Sequence, residues 1–265
     1  MRVDNKKIKL FVVGPSVSYA SWLNHEKVST MEEADLVLFT GGEDINPKLY
    51  EQPCGQFTHF NVHRDLMEVE SARKAIRLGK NIWGTCRGIQ LGCAMSGGLL
   101  VQHMNHPWQH NLTLYDGTVV QVNSLHHQMQ HPYNLHPSEY VVAGYAKGLS
   151  NVYLNGHNNE MLLPTITKGS DSTTKEAEIV YYRKTKWFGA QSHPEMLSYY
   201  HQSNNILRAM IDLMMEDTLD IVLTLSIPTS RFVGVDLVLT DDEAQEYEEI
   251  LIKRKQVEQR TSLVN

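Results

Sequence analysis

"NIWGTCRGIQLG" (81–92) decides how this chain is read. An apolar run leads into Gly-Thr-Cys-Arg-Gly and a helix-compatible segment follows. The stretch therefore predicts a buried strand, a sharp turn at Cys86 and a helix. A Gly-x-nucleophile-x-Gly run in that setting is a nucleophile elbow. Its turn strains the middle residue and presents that side chain at the carboxyl end of a sheet. Gly84 and Gly88 lack a Cβ, so neighbouring backbone can approach closely. The first amides of the following helix favour a thiolate at Cys86, and the Arg87 amide is placed to donate to an oxyanion.

Outward from the elbow, strands alternate with helices. "IKLFVVG" (8–14) and "DLVLFT" (35–40) read as buried strands, the second ending in a Gly-Gly loop. Thr30 with Glu33 forms a capping-box signature for a short helix between them. Leu66, Val69, Ala72 and Ile76 recur at helical spacing before a stop at Gly79. This alternation predicts an α/β protein with a three-layer, mainly parallel sheet and flanking helices. Further on, 118–124 and 140–146 read as strands and 167–176 as a polar turn or loop. A β-hairpin turning at Lys184 to Lys186 and an amphipathic helix over 204–216 follow. The segment 217–265 is expected to form two strands joined at Pro228 and a charged helix capped by Thr240 and Glu243. That divides the chain into a catalytic domain, 1–216, and a C-terminal hairpin-helix extension, 217–265, a candidate interaction element.

The composition is that of an ordinary globular protein: 265 residues, 42% apolar and 20% charged, with a formal charge of −6. No basic stripe interleaved with aromatics suggests nucleic acid, and no run is long enough to span a membrane. The N-terminal "MRVDNKKIKLFVVG" reads as a strand rather than a targeting segment. Three cysteines without metal-like spacing fit a reducing compartment, so a cytoplasmic location is expected. Thirteen histidines are unusual. They gather as His103, His106 and His110, then as His126, His127, His131 and His136. A zinc site is the sharp reading, but the first group lies in loop-like sequence with Pro107 and no Cys, Asp or Glu completes a zinc pattern. The expectation is no metal and no cofactor.

A thiolate nucleophile needs a proton shuttle and a group to orient it. "AQSHPEM" offers His193 and Glu195, joined by the stiff Pro194. Alone, His-Pro-Glu reads as a surface turn; with Cys86 it completes a nucleophile, base and acid. Cys93, within the helix, reads as packing, and Cys54 as a loop residue.

Together these features resemble the class I glutamine amidotransferase family, which carries a Gly-x-Cys-x-Gly elbow and a late His-Pro-Glu. Within it, "TGGEDINPKLY" (40–50), "RDLMEVE" (64–70), "GTCRGIQ" (84–90), "GGLLVQ" (97–102), "VNSLHHQ" (122–128) and "GAQSHPE" (189–195) are most similar to the γ-glutamyl hydrolase branch, which includes γ-glutamyl-γ-aminobutyrate hydrolases. The blocks keep family order from about residue 8 to about residue 215.

The resemblance implies a flavodoxin-like fold and a triad of Cys86, His193 and Glu195. It implies an oxyanion hole from the amides of Arg87 and Gly42, and substrate contacts from Gln90 and His127. The implied reaction is thiolate attack on a γ-glutamyl amide, with a glutamyl thioester hydrolysed by water. The substrate would be a small molecule, with neither nucleic acid nor membrane as partner. Where the branch carries an Asp-Gly/Glu-Ala stretch on the amine side of its pocket, this chain has "KEAEIVYY", with Glu176 and Glu178 as candidates to stand in. The alternatives are a glutaminase subunit delivering ammonia to a synthetase partner, and an inactive binding protein of the same fold. The extension would then be a docking surface for the synthetase or for a second copy. The α/β-hydrolases share the elbow, but their acid precedes the histidine.

Overall fold

The computed structural model describes residues 7–161, 163–168 and 171–262. In chain order the first half contains β1 (Ile8–Val13), β2 (His25–Lys27), β3 (Leu36–Phe39), α1 (Val62–Arg77), β4 (Asn81–Thr85), α2 (Arg87–Met95), β5 (Leu99–Val101), β6 (His103–Met104), β7 (Gln109–Leu114) and β8 (Val119–Asn123). The second half contains β9 (Met129–His131), β10 (Tyr140–Lys147), β11 (Tyr153–Leu154), β12 (Thr165–Lys168), β13 (Asp171–Tyr182), β14 (Trp187–Ala190), α3 (Gln202–Met215), α4 (Leu219–Thr224) and α5 (Asp241–Ser262).

A ten-stranded sheet runs β2-β1-β3-β4-β14-β13-β10-β7-β8, with β12 paired to β13. Its first five strands are parallel. From β13 onward the pairing is antiparallel. Every residue of β3 is buried. Leu36 and Leu38 face one core and Val37 and Phe39 the other, as expected of a strand covered on both sides. Val69 and Ala72 of α1 and Ile89 and Leu91 of α2 pack on the second face. Ile206, Leu207 and Met210 of α3 pack on the first, around Trp83. The result is the expected three-layer α/β architecture.

Four expectations change. Residues 29–30 form a bend and 31–33 a turn rather than a helix. Leu66 is 64% exposed, while Asp65 and Glu68 are buried in its place. Much of 167–176 lies in the antiparallel pair β12 and β13 rather than in a loop, with residues 169 and 170 outside the described residues. The C-terminal hairpin is absent from the described residues: 219–224 is helical and a single 3-10 turn follows Pro228. Leu219, Val222 and Leu223 stand at i, i+3 and i+4 and are all buried, so packing on the core overrides the β-propensity of "LDIVLTL".

The boundary expected at 216/217 falls between α3 and α4. The segment beyond it, through Ile227 and Phe232, shares the core that holds Leu10 and Trp83. The capping box of α5 is formed reciprocally: the Thr240 amide donates to Glu243 Oε2 at 2.8 Å, and the Glu243 amide donates to Thr240 Oγ1 at 3.2 Å. The readings of residues 1–6 and 263–265 fall outside the described residues.

Candidate active site

Three neighbouring parallel strands end at one edge of the sheet. Phe39 is in register with Gly84, and Ala190 with Thr85. The Gly-Gly loop, the elbow and the His-Pro-Glu turn therefore leave the sheet side by side, at the carboxyl ends where α/β proteins place ligands.

Cys86 has φ 51° and ψ −107° and caps α2. Holding a non-glycine residue there costs ~1–3 kcal/mol. The surroundings fix it: the Cys86 amide donates to Ala190 O at 2.8 Å, and its carbonyl accepts from the amides of Ile89 and Gln90 at 3.1 and 3.2 Å. The flanking glycines are sterically required. A Cβ at Gly84 would lie 2.5 Å from the backbone of Gly88 and Ile89, and one at Gly88 would lie 2.3 Å from Phe39 O.

His193 directs Nδ1 to Glu195 Oε1 at 2.7 Å, and Cys86 acts on the same imidazole. Burial works against a charged His193. The Cys86 and Glu195 contacts outweigh it and hold its pKa up at about 10. His193 is therefore held as imidazolium at neutral pH. The backbone of His193 is clamped by Asn123, whose Nδ2 donates to His193 O at 2.9 Å and whose Oδ1 accepts from the His193 amide at 2.8 Å. Tyr19 stands beside this group, its ring centroid 6.1 Å from that of His193. Burial, then the charges of Glu195 and Cys86, raise its pKa above the usual phenol value. Neither Asn123 nor Tyr19 was singled out from sequence. Asn123 sits within the quoted "VNSLHHQ" block, while Tyr19 lies in a 3-10 turn with no motif around it.

Gly42 has φ 145°, and a Cβ there would lie 2.1 Å from Arg64 Nη1. Arg64 braces this loop, donating to Gly41 O at 2.8 Å and Thr40 Oγ1 at 3.2 Å. It also pairs with Glu43 at 2.6 Å and with Glu68 at 2.7 Å. Glu68 in turn pairs with Arg87, whose side chain is fully buried and also meets Asp65 at 2.6 Å. A chain of charges thus ties the Gly-Gly loop to the first residue of α2. The start of the buried face of α1 is polar, at Asp65 and Glu68, because these acids are paired, which is how charged side chains come to be buried.

Gly42, Glu43, Asp44, Cys86, Gln90 and the 125–128 loop line a cavity of about 200 Å³. Gln90 is buried and donates to Gln128 O at 2.9 Å. His127 is part-exposed at the cavity, with Nε2 3.1 Å from Asp44 Oδ1. That hydrogen bond raises its pKa against the effect of burial. Glu176 and Glu178 do not line the cavity: both are fully buried and turned toward histidines. Cys93 is buried, donates to Leu99 O at 3.3 Å, and has its thiol pKa pushed up to about 12 by burial. Cys54 is exposed. The reading that no acid joins the histidines is corrected: His106, His126 and Glu178 converge, with ligand atoms within 4.8 Å of one another. Glu178 arrives from a distant strand, so no local spacing announced it.

The profile of the peptidase C26 family matches residues 16–149. The chain is 26% identical over 200 residues to protein NtpR of Enterococcus hirae, covering 71% of this chain and 76% of that protein. It is 30% identical over 118 residues to the glutamine amidotransferase-like protein YvdE of Lactococcus lactis, covering 36% of this chain and 50% of that protein. Among solved structures, a glutamine amidotransferase of Thermotoga maritima is similar with TM-score 0.45 and 11% identity, over 86% of this chain and 90% of that one.

Proposed function

The chain belongs to the peptidase C26 family of class I glutamine amidotransferase-like proteins, and from that membership we propose that it hydrolyses a γ-glutamyl amide through Cys86. The observation that carries this reading is the Cys86–His193–Glu195 arrangement at the carboxyl edge of β4 and β14, beside the Gly-Gly loop.

In this reading the Cys86 thiolate attacks the γ-carbonyl carbon of the substrate. Negative charge develops on the carbonyl oxygen, where the amides of Arg87 and Gly42 donate to it. The tetrahedral adduct collapses as His193 Nε2 gives its proton to the leaving amine, leaving a glutamyl thioester on Cys86. His193, now neutral, takes a proton from water, whose hydroxide attacks the thioester carbonyl. Collapse releases glutamate and restores the thiolate–imidazolium pair. Glu195 holds the imidazole orientation and stabilises its charge through Nδ1. In this reading Gln90 and His127 contact the substrate, since both line the cavity beside Cys86, where His127 pairs with Asp44.

The test is glutamate release from glutamine and a panel of γ-glutamyl amines by the wild type and Cys86→Ala. Release by the wild type and none by the variant is expected. No release from any substrate, or equal release by both proteins, would overturn the reading. A wild type active only when a synthetase is present would instead favour an ammonia-delivering subunit.

A further inference from the structure

Away from Cys86, three histidines surround one carboxylate. Glu178 on β13 is fully buried, and neither oxygen has a hydrogen-bond partner among the described residues. Its Oε1 lies 3.3 Å from His106 Nδ1, 3.5 Å from His110 Nε2 and 3.6 Å from His126 Nε2. These separations exceed the ~2.7–3.2 Å of an N–H···O hydrogen bond. Two ligands ~2.0–2.1 Å from one zinc ion are ~3.3–3.4 Å apart, the separation of Glu178 Oε1 from His106 Nδ1, and the ligand atoms of His106, His126 and Glu178 all lie within 4.8 Å of one another.

The tautomers agree with this geometry. His106 Nε2 is 3.0 Å from Glu176 Oε2, and His126 Nδ1 is 2.9 Å from the Gln128 carbonyl. Each of those nitrogens faces an acceptor and so carries the proton. In a neutral ring the other nitrogen carries a lone pair: His126 Nε2 has no hydrogen-bond partner among the described residues, and His106 Nδ1 lies 3.3 Å from both Ser124 Oγ and Glu178 Oε1. Lone pairs facing a buried carboxylate repel it unless a cation lies between them. A carboxylate or carbonyl holding the far nitrogen is how proteins orient metal-binding histidines.

We propose that His106 Nδ1, His126 Nε2 and Glu178 bind a zinc-class divalent ion, whose fourth donor is water. Two imidazoles and one carboxylate are a donor set suited to such an ion. The ion joins β13 to the loops before β7 and after β8. It thereby anchors the 125–128 loop that lines the cavity beside Cys86. The inference stands on this cluster alone and is independent of the reaction at Cys86.

The test is metal content of untagged protein, purified without a metal-affinity step. About one zinc per chain is expected to survive gel filtration. Protein stripped with a chelator should take up about one equivalent of zinc again and gain thermal stability on doing so. Glu178→Gln and His126→Ala should lose the ion, whereas His103→Ala, whose ring stacks on Phe57, should keep it. Should the first two variants not fold, X-ray absorption of the wild-type zinc decides: four nitrogen or oxygen neighbours at ~2.0 Å support the site. A sulfur neighbour, zinc content no higher than background with no uptake by stripped protein, or full zinc retention in Glu178→Gln would each overturn the proposal.

Discussion

Asn123 places the general base without touching the substrate, and its removal has a calculable effect. Asn123→Ala deletes both hydrogen bonds to the His193 backbone, at 2.9 and 2.8 Å. Each bond contributes ~1 kcal/mol net, and a buried backbone group left unpaired costs ~1–3 kcal/mol. Asn123 is 4% exposed, so water cannot readily take its place. The expected loss of stability is ~2–4 kcal/mol, which at ~2–4 °C per kcal/mol lowers Tm by ~5–15 °C. The freed turn also lets the imidazole shift from Cys86, and a displacement of ~1 Å costs about 100-fold in rate. The assay pairs thermal melting with kcat for glutamate release, measured well below the Tm of the variant so that unfolded protein contributes nothing. Asn123→Asp keeps the acceptor for the His193 amide but sets a carboxylate against its carbonyl, and should fall at least as far in kcat. A Tm within about 1 °C of the wild type together with unchanged kcat would refute the clamp, since each lost bond carries ~1 kcal/mol.

Three further outcomes follow from the charges. Arg64→Met releases the Gly41 carbonyl and Thr40 while keeping an apolar stem, so kcat should drop ~10–100-fold, less than outright loss of an oxyanion donor, with a smaller change in KM. Glu68→Ala leaves the buried Arg87 short of one of its two carboxylate partners, and denaturant titration should show a loss of ~3–5 kcal/mol. His193 has a raised pKa of about 10, so the pairing contributes its full stability below the unfolded value of ~6.5 and loses it as pH rises through about 10. The alkaline limb of kcat/KM is expected in that region, and Glu195→Gln should move it to lower pH, which a pH-rate series would detect.

The sequence was most legible where chemistry and backbone constraint coincide. Gly84, Cys86 and Gly88 announce themselves because only glycine tolerates the approaches that bracket the strained cysteine. His193 and Glu195 are adjacent in sequence, so their pairing needs no long-range knowledge. The polar face of α1 was hidden by the assumption that buried faces are apolar: Leu66 fits the helical period yet points outward, because Asp65 and Glu68 meet Arg87 from another helix. The histidine cluster was half-legible. Its rings stand out in composition, but Glu178 reaches them only through the pairing of β13 with β10 and of β10 with β7. The C-terminal segment misled through local propensity, since "LDIVLTL" is β-rich in residue type and helical in its pattern of burial.

The most direct measurement is the intact mass of the protein quenched in acid during turnover of a γ-glutamyl substrate, followed by peptide mapping. The expected result is one glutamyl residue in thioester linkage on the peptide bearing Cys86, absent from Cys86→Ala. A glutamyl adduct on Cys54, or steady glutamate release by Cys86→Ala, would contradict the assignment of Cys86 as the nucleophile.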